Sequence, residues 1–339
     1  MKTVFVGMSG GVDSSVTAAL LKEQGFKVVG VHLKCWNIDG CAAQDAEDAR
    51  RAAETLEIPF YVFDFEQEYR DRVVQYMVDG YKKGITPNPD VMCNQEIKFG
   101  LFYKRAMELG ADFVATGHYV KRVGDRLYAA KDKDKDQSYF LWTLKKEQIR
   151  HCLFPLGDLI KRTEVRRLAK KYKLPNAEKK DSQGICFLGQ VSLPEFLGEF
   201  IPNKKGAIMN IAGEKVGEHQ GAYYYTIGQR KGLGIGGSPV PLYVSDKNVK
   251  KNTITVAPEG DEALLRKRVV LSDTSFTGAK PSGRLFVRIR YRQPLFRAQM
   301  IGDTLVFDKP EKFVAPGQSA VLYDSRGKML GGGIITSAA

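Results

Sequence analysis

The sequence predicts an α/β protein in three parts. A parallel-sheet, Rossmann-like domain with a basic helical extension spans residues 1–195, a small β-rich central domain spans 196–264, and an antiparallel β-barrel spans 265–339. Three observations predict this. Strand-like and helix-like segments alternate through the first 120 or so residues, as βαβ units do. After about residue 195 the texture changes to glycines, turns and short strands. Near the end, "GRLFVRIRYRQPLF" alternates, with Leu285, Val287, Ile289 and Tyr291 on one face and arginines on the other, which suits a closed small barrel.

The elements follow in order. "TVFVGM" is a strand, and "SSVTAALLKEQG" a helix that opens on serines and stops at Gly25. "FKVVGVHLK" is the second strand. "DAEDARRAAETLEI" is the second helix, with Asp45 as its expected cap and acidic residues in its first turn. "PFYVFDF" is the third strand, "YRDRVVQYMVDGYKKG" and "IKFGLFYKRAMELG" are helices, and "DFVATGHY" a further strand. "TPNPDVMCN", residues 86–94, reads as a loop from its two prolines and two asparagines. The KDKDKD run reads as a charged loop, and "TEVRRLAKKYKLP" as a strongly basic helix. "DTLVFD", "QSAVLYD" and "MLGGGII" are short strands of the barrel.

Charge is unevenly placed. The net is +13, but residues 1–130 carry 16 Lys+Arg against 18 Asp+Glu, while residues 131–339 carry 36 against 21. The second part is suited to a polyanion, with aromatic residues lying among the cations. No apolar run is long enough to span a membrane, and the N-terminus is too short in apolar residues for a secretory signal. Five cysteines in this length do not make a disulfide framework, so a cytoplasmic setting is expected.

"VFVGMSGGVDSS", Val4–Ser15, has the layout of a phosphate loop between a strand and a helix. It lacks the Walker lysine and carries Asp13 instead. A carboxylate there repels a bare phosphate, so a Mg²⁺ between them is expected. A loop that grips pyrophosphate with no lysine on a γ-phosphate suits α–β cleavage of ATP, giving AMP. The S-G-G-x-D-S order resembles the pyrophosphate loop of the N-type ATP pyrophosphatases, which adenylate a carbonyl or carboxyl oxygen.

Cys93, in "NPDVMCN", and Cys186, in "DSQGICFLG", both sit in polar, loop-like surroundings. Cys35 and Cys152 lie in apolar contexts and read as small buried hydrophobes. Cys41 lies near a helix start. "TPNPDVMCNQEIKFG", "ATGHY", "KDQSYFL", "DSQGICFLG", "YTIGQRKGLGI" and "RIRYR" together resemble the tRNA-specific 2-thiouridylases (the MnmA family) over essentially the whole chain. The resemblance implies ATP contacts at Gly7, Met8, Ser9, Gly10, Gly11, Val12, Asp13, Ser14, Leu33 and Gly117. It implies that Asn88, Pro89 and Asp90 line a wobble uracil drawn out of the anticodon loop. It implies tRNA contacts at His118, Asp136, Gln137, Ser138, Arg290, Tyr291 and Gln318. Cys186 would carry a persulfide delivered by a sulfur-relay protein, Cys93 would resolve it as a disulfide, and Asp90 would handle a proton or orient the base.

Other readings of the same residues stay open at this point. Asp90, Cys93 and Cys186 could hold an iron–sulfur cluster with an open iron. The chain could be a different adenylating enzyme of the amidotransferase type. It could also be a non-catalytic RNA-binding protein on the same scaffold. A monomer acting on one tRNA is expected.

Overall fold

The computed structural model describes residues 1–36, 41–180 and 191–339; for residues 41 and 42 it describes the backbone alone. Cys186 therefore lies outside the described residues, and the Cys41 side chain is also outside them.

The first domain is built on five parallel strands: β1 (Thr3–Gly7), β2 (Lys27–Lys34), β3 (Phe60–Asp64), β4 (Phe113–Thr116) and, after a short hairpin of β5 (Lys121–Val123) with β6 (Arg126–Tyr128), β7 (Cys152–Leu153). Their order is β3-β2-β1-β4-β7. Gly7 sits beside Val31 on one side and Thr116 on the other. The strand order reverses about β1, so the carboxyl ends of β1 and β4 border the crevice where open α/β sheets hold ligands. Val4 and Val6 are fully buried beneath helix α1 (Val12–Glu23), together with Val16 and Ala18 of that helix. Helix α2 (Cys41–Thr55) buries Ala49, Ala52 and Ala53 against the same core. It begins earlier than the sequence suggests, so Asp45 is an interior residue and not the cap.

The segment 86–94 is not the loop expected. Asn88 accepts from the Val91 amide at 3.2 Å, Pro89 occupies the first helical position, and the chain turns helical at Pro89–Met92. Proline there gives up an amide that needs no partner, and its fixed φ starts the turn. From Cys93 to Phe102 the helix widens to a π-helix. A Cβ on Gly100 would stand 2.8 Å from the Gln95 carbonyl, so glycine makes room for the wider turn.

The central domain pairs β8 (Gly206–Asn210), β9 (Lys215–His219), β10 (Leu242–Asn248) and β11 (Thr253–Pro258) in the order β10-β11-β8-β9. Ile208, Val244 and Val256 pack into one cluster with Tyr69, Met77, Cys93 and Ile97, so this domain closes over the Cys93 helix. The last part is a closed barrel of β12 (Leu265–Phe276), β13 (Gly283–Arg288), β14 (Phe296–Ile301), β15 (Thr304–Lys312), β16 (Ser319–Tyr323) and β17 (Met329–Ala338), ordered β12-β15-β14-β13-β16-β17. Closure leaves no open sheet edge. Leu285, Val287 and Ile289 point into its core as the alternation predicts, whereas Tyr291, beyond the end of β13, packs on Phe140 of the first domain instead. Arg288 departs from the expected polar face: it is buried against the first domain and paired with Asp136 at 2.8 Å.

Candidate active site

The phosphate-type loop starts where β1 ends. The Met8 amide donates to the Val31 carbonyl at 2.8 Å, and the Met8 carbonyl accepts from His32 Nδ1 at 3.0 Å. Burial lowers the pKa of His32, so it stays neutral in this role. Gly10 has φ +74°, and a Cβ there would run into the backbone carbonyl of Asp45. Both facts require glycine. Gly11 caps α1 with no side chain, which leaves the first-turn amides facing outward for an anion. Ser14 donates to the Gly11 carbonyl at 3.1 Å and accepts from the Ser9 amide at 3.2 Å, fixing the turn from within. Asn176 closes it from behind, donating to the Gly10 carbonyl at 2.9 Å and to Ser15 Oγ at 3.0 Å. Gly117, just past β4, lies so close that a Cβ would stand 2.8 Å from the Ser14 amide nitrogen. Gly10→Ala is therefore expected to weaken ATP binding about tenfold or more, read by titration calorimetry, because the loop must move before the residue fits.

Asp13 is arranged differently from the expectation. Its Oδ1 accepts from the Tyr119 hydroxyl at 2.7 Å, and its Oδ2 pairs with Lys161 Nζ at 2.7 Å. Lys161 is only 5% exposed. Among the described residues no group of three His, Cys, Asp or Glu side chains could hold a metal ion. Magnesium is usually held by one or two carboxylates plus substrate phosphates. The one loop carboxylate already has a lysine for its counterion, so these residues do not fit a resident magnesium ion on Asp13.

Cys93 is buried at the start of the π-helix, not in a loop. Its surroundings push the thiol pKa up through burial. The Lys98 ammonium works against that, Asp90 adds to it, and a hydrogen bond with Tyr69 opposes it. Residues five apart are about 140° apart around an α-helix. The i→i+5 ladder of a π-helix brings them close to one face, which places Lys98 on the Cys93 side. The same helix ends at Phe102, whose ring lies against Gly7 of β1. Phe99 packs beside His118 with ring centroids 5.9 Å apart. Leu33, at the end of β2, packs against the cluster that holds Cys93. The cysteine helix thus lies across the carboxyl ends of β1, β2 and β4.

The segment just before Cys93 is held by all three domains. The Thr86 amide donates to the Pro316 carbonyl at 2.8 Å, and Gln318 Nε2 donates to the carbonyls of Thr86 at 2.9 Å and Pro87 at 3.2 Å. Gly317 has φ +91°, and a Cβ on it would meet the Thr86 backbone at 2.8 Å. Thr86 Oγ1 donates to Thr226 of the central domain at 3.2 Å. Asn88 and Pro89 are buried, and Asp90 is half-buried.

Comparisons with known proteins follow the same divisions. A family model described as "tRNA methyl transferase HUP domain" matches residues 2–190, one described as "tRNA methyl transferase PRC-barrel domain" matches 194–258, and one described as "Aminomethyltransferase beta-barrel domain" matches 266–335. Curated relatives match end to end. The tRNA-specific 2-thiouridylase MnmA of Streptococcus thermophilus is 45% identical over 99% of this chain and 95% of its own length. That of Listeria monocytogenes is 46% identical over 98% and 94%, and that of Nitrosomonas europaea 46% over 98% and 97%. The chain belongs to the tRNA-specific 2-thiouridylase family.

Against that family's implied tRNA contacts, the structure redistributes several residues. His118 is buried, its Nδ1 2.7 Å from Thr116 Oγ1, and burial holds its pKa well below the usual range. Asp136 is buried and paired with Arg288, and it also accepts from the amides of Ala130 and Ser138 at 3.1 Å each. Ser138 shares a hydrogen bond of 2.9 Å with the Tyr323 hydroxyl. These three side chains are buried and hydrogen-bonded inside the protein, where they join the first domain to the barrel or floor the site. Gln318 is likewise taken up in holding Thr86 and Pro87. Gln137 Oε1 accepts from the Tyr119 amide at 3.0 Å. Arg290 is half-buried and donates to the Ile227 carbonyl. Tyr291 packs its ring 4.5 Å from that of Phe140, with the Arg292 guanidinium 5.2 Å above it. Arg292, Lys133, Lys135 and Asp134 line one open cavity beside the barrel. Sequence reading missed Lys98, Lys161 and Arg292 as individuals. Of these only Arg292 had a local signal, as the residue after the arginine–tyrosine pair.

Proposed function

We propose that this chain is a tRNA-uridine 2-sulfurtransferase that adenylates O2 of an anticodon-loop uridine and exchanges it for sulfur. The observation that carries the reading is the Cys93 helix laid across the ends of β1 and β4, in a chain of this family. The loop from Gly7 to Ser14 takes the pyrophosphate of Mg–ATP, with magnesium arriving on the substrate. Uracil O2 attacks the α-phosphorus, and pyrophosphate leaves. The C2 position then carries AMP as its leaving group.

The sulfur step uses Cys186 as a persulfide and Cys93 as its resolving thiolate. The terminal sulfur bonds to C2, AMP departs with the former O2, and Cys93 and Cys186 become a disulfide that an external thiol must reduce. The Cys93–Cys186 approach falls outside the described residues and belongs to this proposal. An iron–sulfur cluster on Asp90, Cys93 and Cys186 is the alternative for this step alone. Asp90, half-buried three residues before Cys93, orients the base or moves its proton. Arg290, Tyr291, Arg292 and the lysines of the 131–135 turn meet the tRNA backbone. No described helix is long and apolar enough to cross a membrane, and a monomer in the cytoplasm is the setting proposed.

Lys98 contributes to the pH dependence against the larger effect of burial. Burial raises the Cys93 thiol and Lys98 lowers it. Only the thiolate attacks, so the sulfur step rises with pH through the thiol pKa. Lys98→Met is expected to move that rise to higher pH, measured as single-turnover thiouridine formation against pH, with adenylation unmoved. The proposal as a whole is tested by incubating the protein with unmodified tRNA, Mg–ATP and a persulfide donor. Nucleoside digestion should yield 2-thiouridine and AMP in equal amounts. AMP without thiouridine would leave the adenylation and remove the sulfur assignment.

A further inference from the structure

The loop's missing cation has a candidate that the sequence gives no local hint of. Lys161 stands 148 residues after Asp13, at the start of the basic helical segment Lys161–Val165. It is 5% exposed, while its neighbour Arg162 faces outward. A lysine is rarely buried without a specific partner. Its partner is the loop's own carboxylate at 2.7 Å, and the Tyr119 hydroxyl holds the other oxygen at 2.7 Å. The backbone of the lysine is fixed too: its amide donates to Asp132 Oδ2 at 2.9 Å, across from the charged turn. Tyr119 comes from the strand exit that also brings Gly117 against the Ser14 amide. Three separate segments, at 13, 119 and 161, thus converge at the first turn of α1, where the loop amides gather.

We propose that Lys161 is the pyrophosphate-neutralising cation of this loop, and that Asp13 serves to hold it there instead of binding magnesium. The proposal rests on the reading that the loop takes pyrophosphate. An ammonium beside the first helical turn lies at the positive end of that helix, where nothing but an anion stabilises it further. Asp13 supplies the anion when the loop is empty. When pyrophosphate enters, Lys161 faces two anionic groups in place of one, and the paired carboxylate no longer repels the phosphate as an unpaired Asp13 would. This accounts for a phosphate loop that carries an aspartate and no lysine: the lysine is delivered by the fold.

The test is calorimetric titration of the full chain, without tRNA, with inorganic pyrophosphate at fixed free Mg²⁺ and again over a range of Mg²⁺. Lys161→Met alone leaves the part-buried Asp13 carboxylate without its counterion and risks the local fold, so the decisive comparison uses Asp13→Asn and the Asp13→Asn/Lys161→Met double variant, both checked for an intact thermal transition. The expected result is that Asp13→Asn weakens pyrophosphate binding by loosening Lys161, that the double variant weakens it at least a further tenfold, and that the Mg²⁺ midpoint does not move with Asp13→Asn. A double variant that binds as Asp13→Asn does would reduce the pair to a structural tie and overturn the proposal. A tenfold rise in the Mg²⁺ midpoint on Asp13→Asn would make Asp13 a metal ligand and overturn it equally. Absence of pyrophosphate binding by the unaltered protein would instead remove the underlying reading of the loop.

Discussion

Cys93→Ala is expected to abolish 2-thiouridine formation, by on the order of 10³-fold or more, while leaving the protein folded. The two halves of that expectation have separate grounds. The thiol is buried among Tyr69, Ile97 and apolar residues of the central domain, so its removal opens a small cavity costing about 1–2 kcal/mol. That loss lowers the thermal midpoint by only a few degrees. A buried cysteine that served packing alone would show nothing more. Here burial raises the thiol pKa, and Lys98 on the same side of the π-helix acts against that rise. Single-turnover pyrophosphate release should persist in the variant, since the adenylation step precedes the sulfur step. Retained thiouridine at more than a few per cent of the normal rate would place the sulfur chemistry elsewhere.

The second large effect is at the seam between the first domain and the barrel. Arg288 and Asp136 are paired at 2.8 Å with side-chain exposures of 8% and 0%. Removing one partner of such a pair strands the other charge in a dry interior, at about 3–5 kcal/mol. Arg288→Met is expected to cost that much, and Arg288→Met/Asp136→Asn to recover a large part of it. Calorimetric scanning of the variants measures both. Because the chain has three packed parts, the loss should appear as a barrel transition that separates to lower temperature, not as a uniform shift. Activity should fall with it. The 316–318 turn of the barrel holds Thr86 and Pro87, seven and six residues before Cys93, and a loosened barrel cannot hold them.

The fold was largely legible because its signals are local. Alternation marks the barrel strands, and the βαβ pattern marks the sheet. The loop glycines announce a turn at a strand's carboxyl end. What failed were inferences in which one segment's role depends on another. Asn88 and Pro89 looked like loop residues by composition, yet their order is that of a helix start, and Pro89 takes the first helical position. Asp45 looked like a cap, yet the helix runs on ahead of it to Cys41. Arg288 looked like barrel surface because alternation predicts which face a residue takes, not what covers that face. The motif around Asp136 and Ser138 matched the family at every position, and the structure explains the match by the seam it builds with Arg288 and Tyr323. Lys161 read as the first residue of an outward-facing basic helix that meets phosphates, yet it is buried on Asp13, and no spacing rule connects the two. A resemblance identifies positions; only packing says which of them face outward.

In the proposed reaction uridine O2 is adenylated before it is replaced. Transfer RNA carrying ¹⁸O at O2 of the target uridine tests this directly, with Mg–ATP and a persulfide donor, by mass spectrometry of the AMP released. The expected result is one ¹⁸O in every AMP and one 2-thiouridine for each. Unlabelled AMP formed alongside thiouridine would contradict it, because the oxygen displaced by sulfur would then have left by another route.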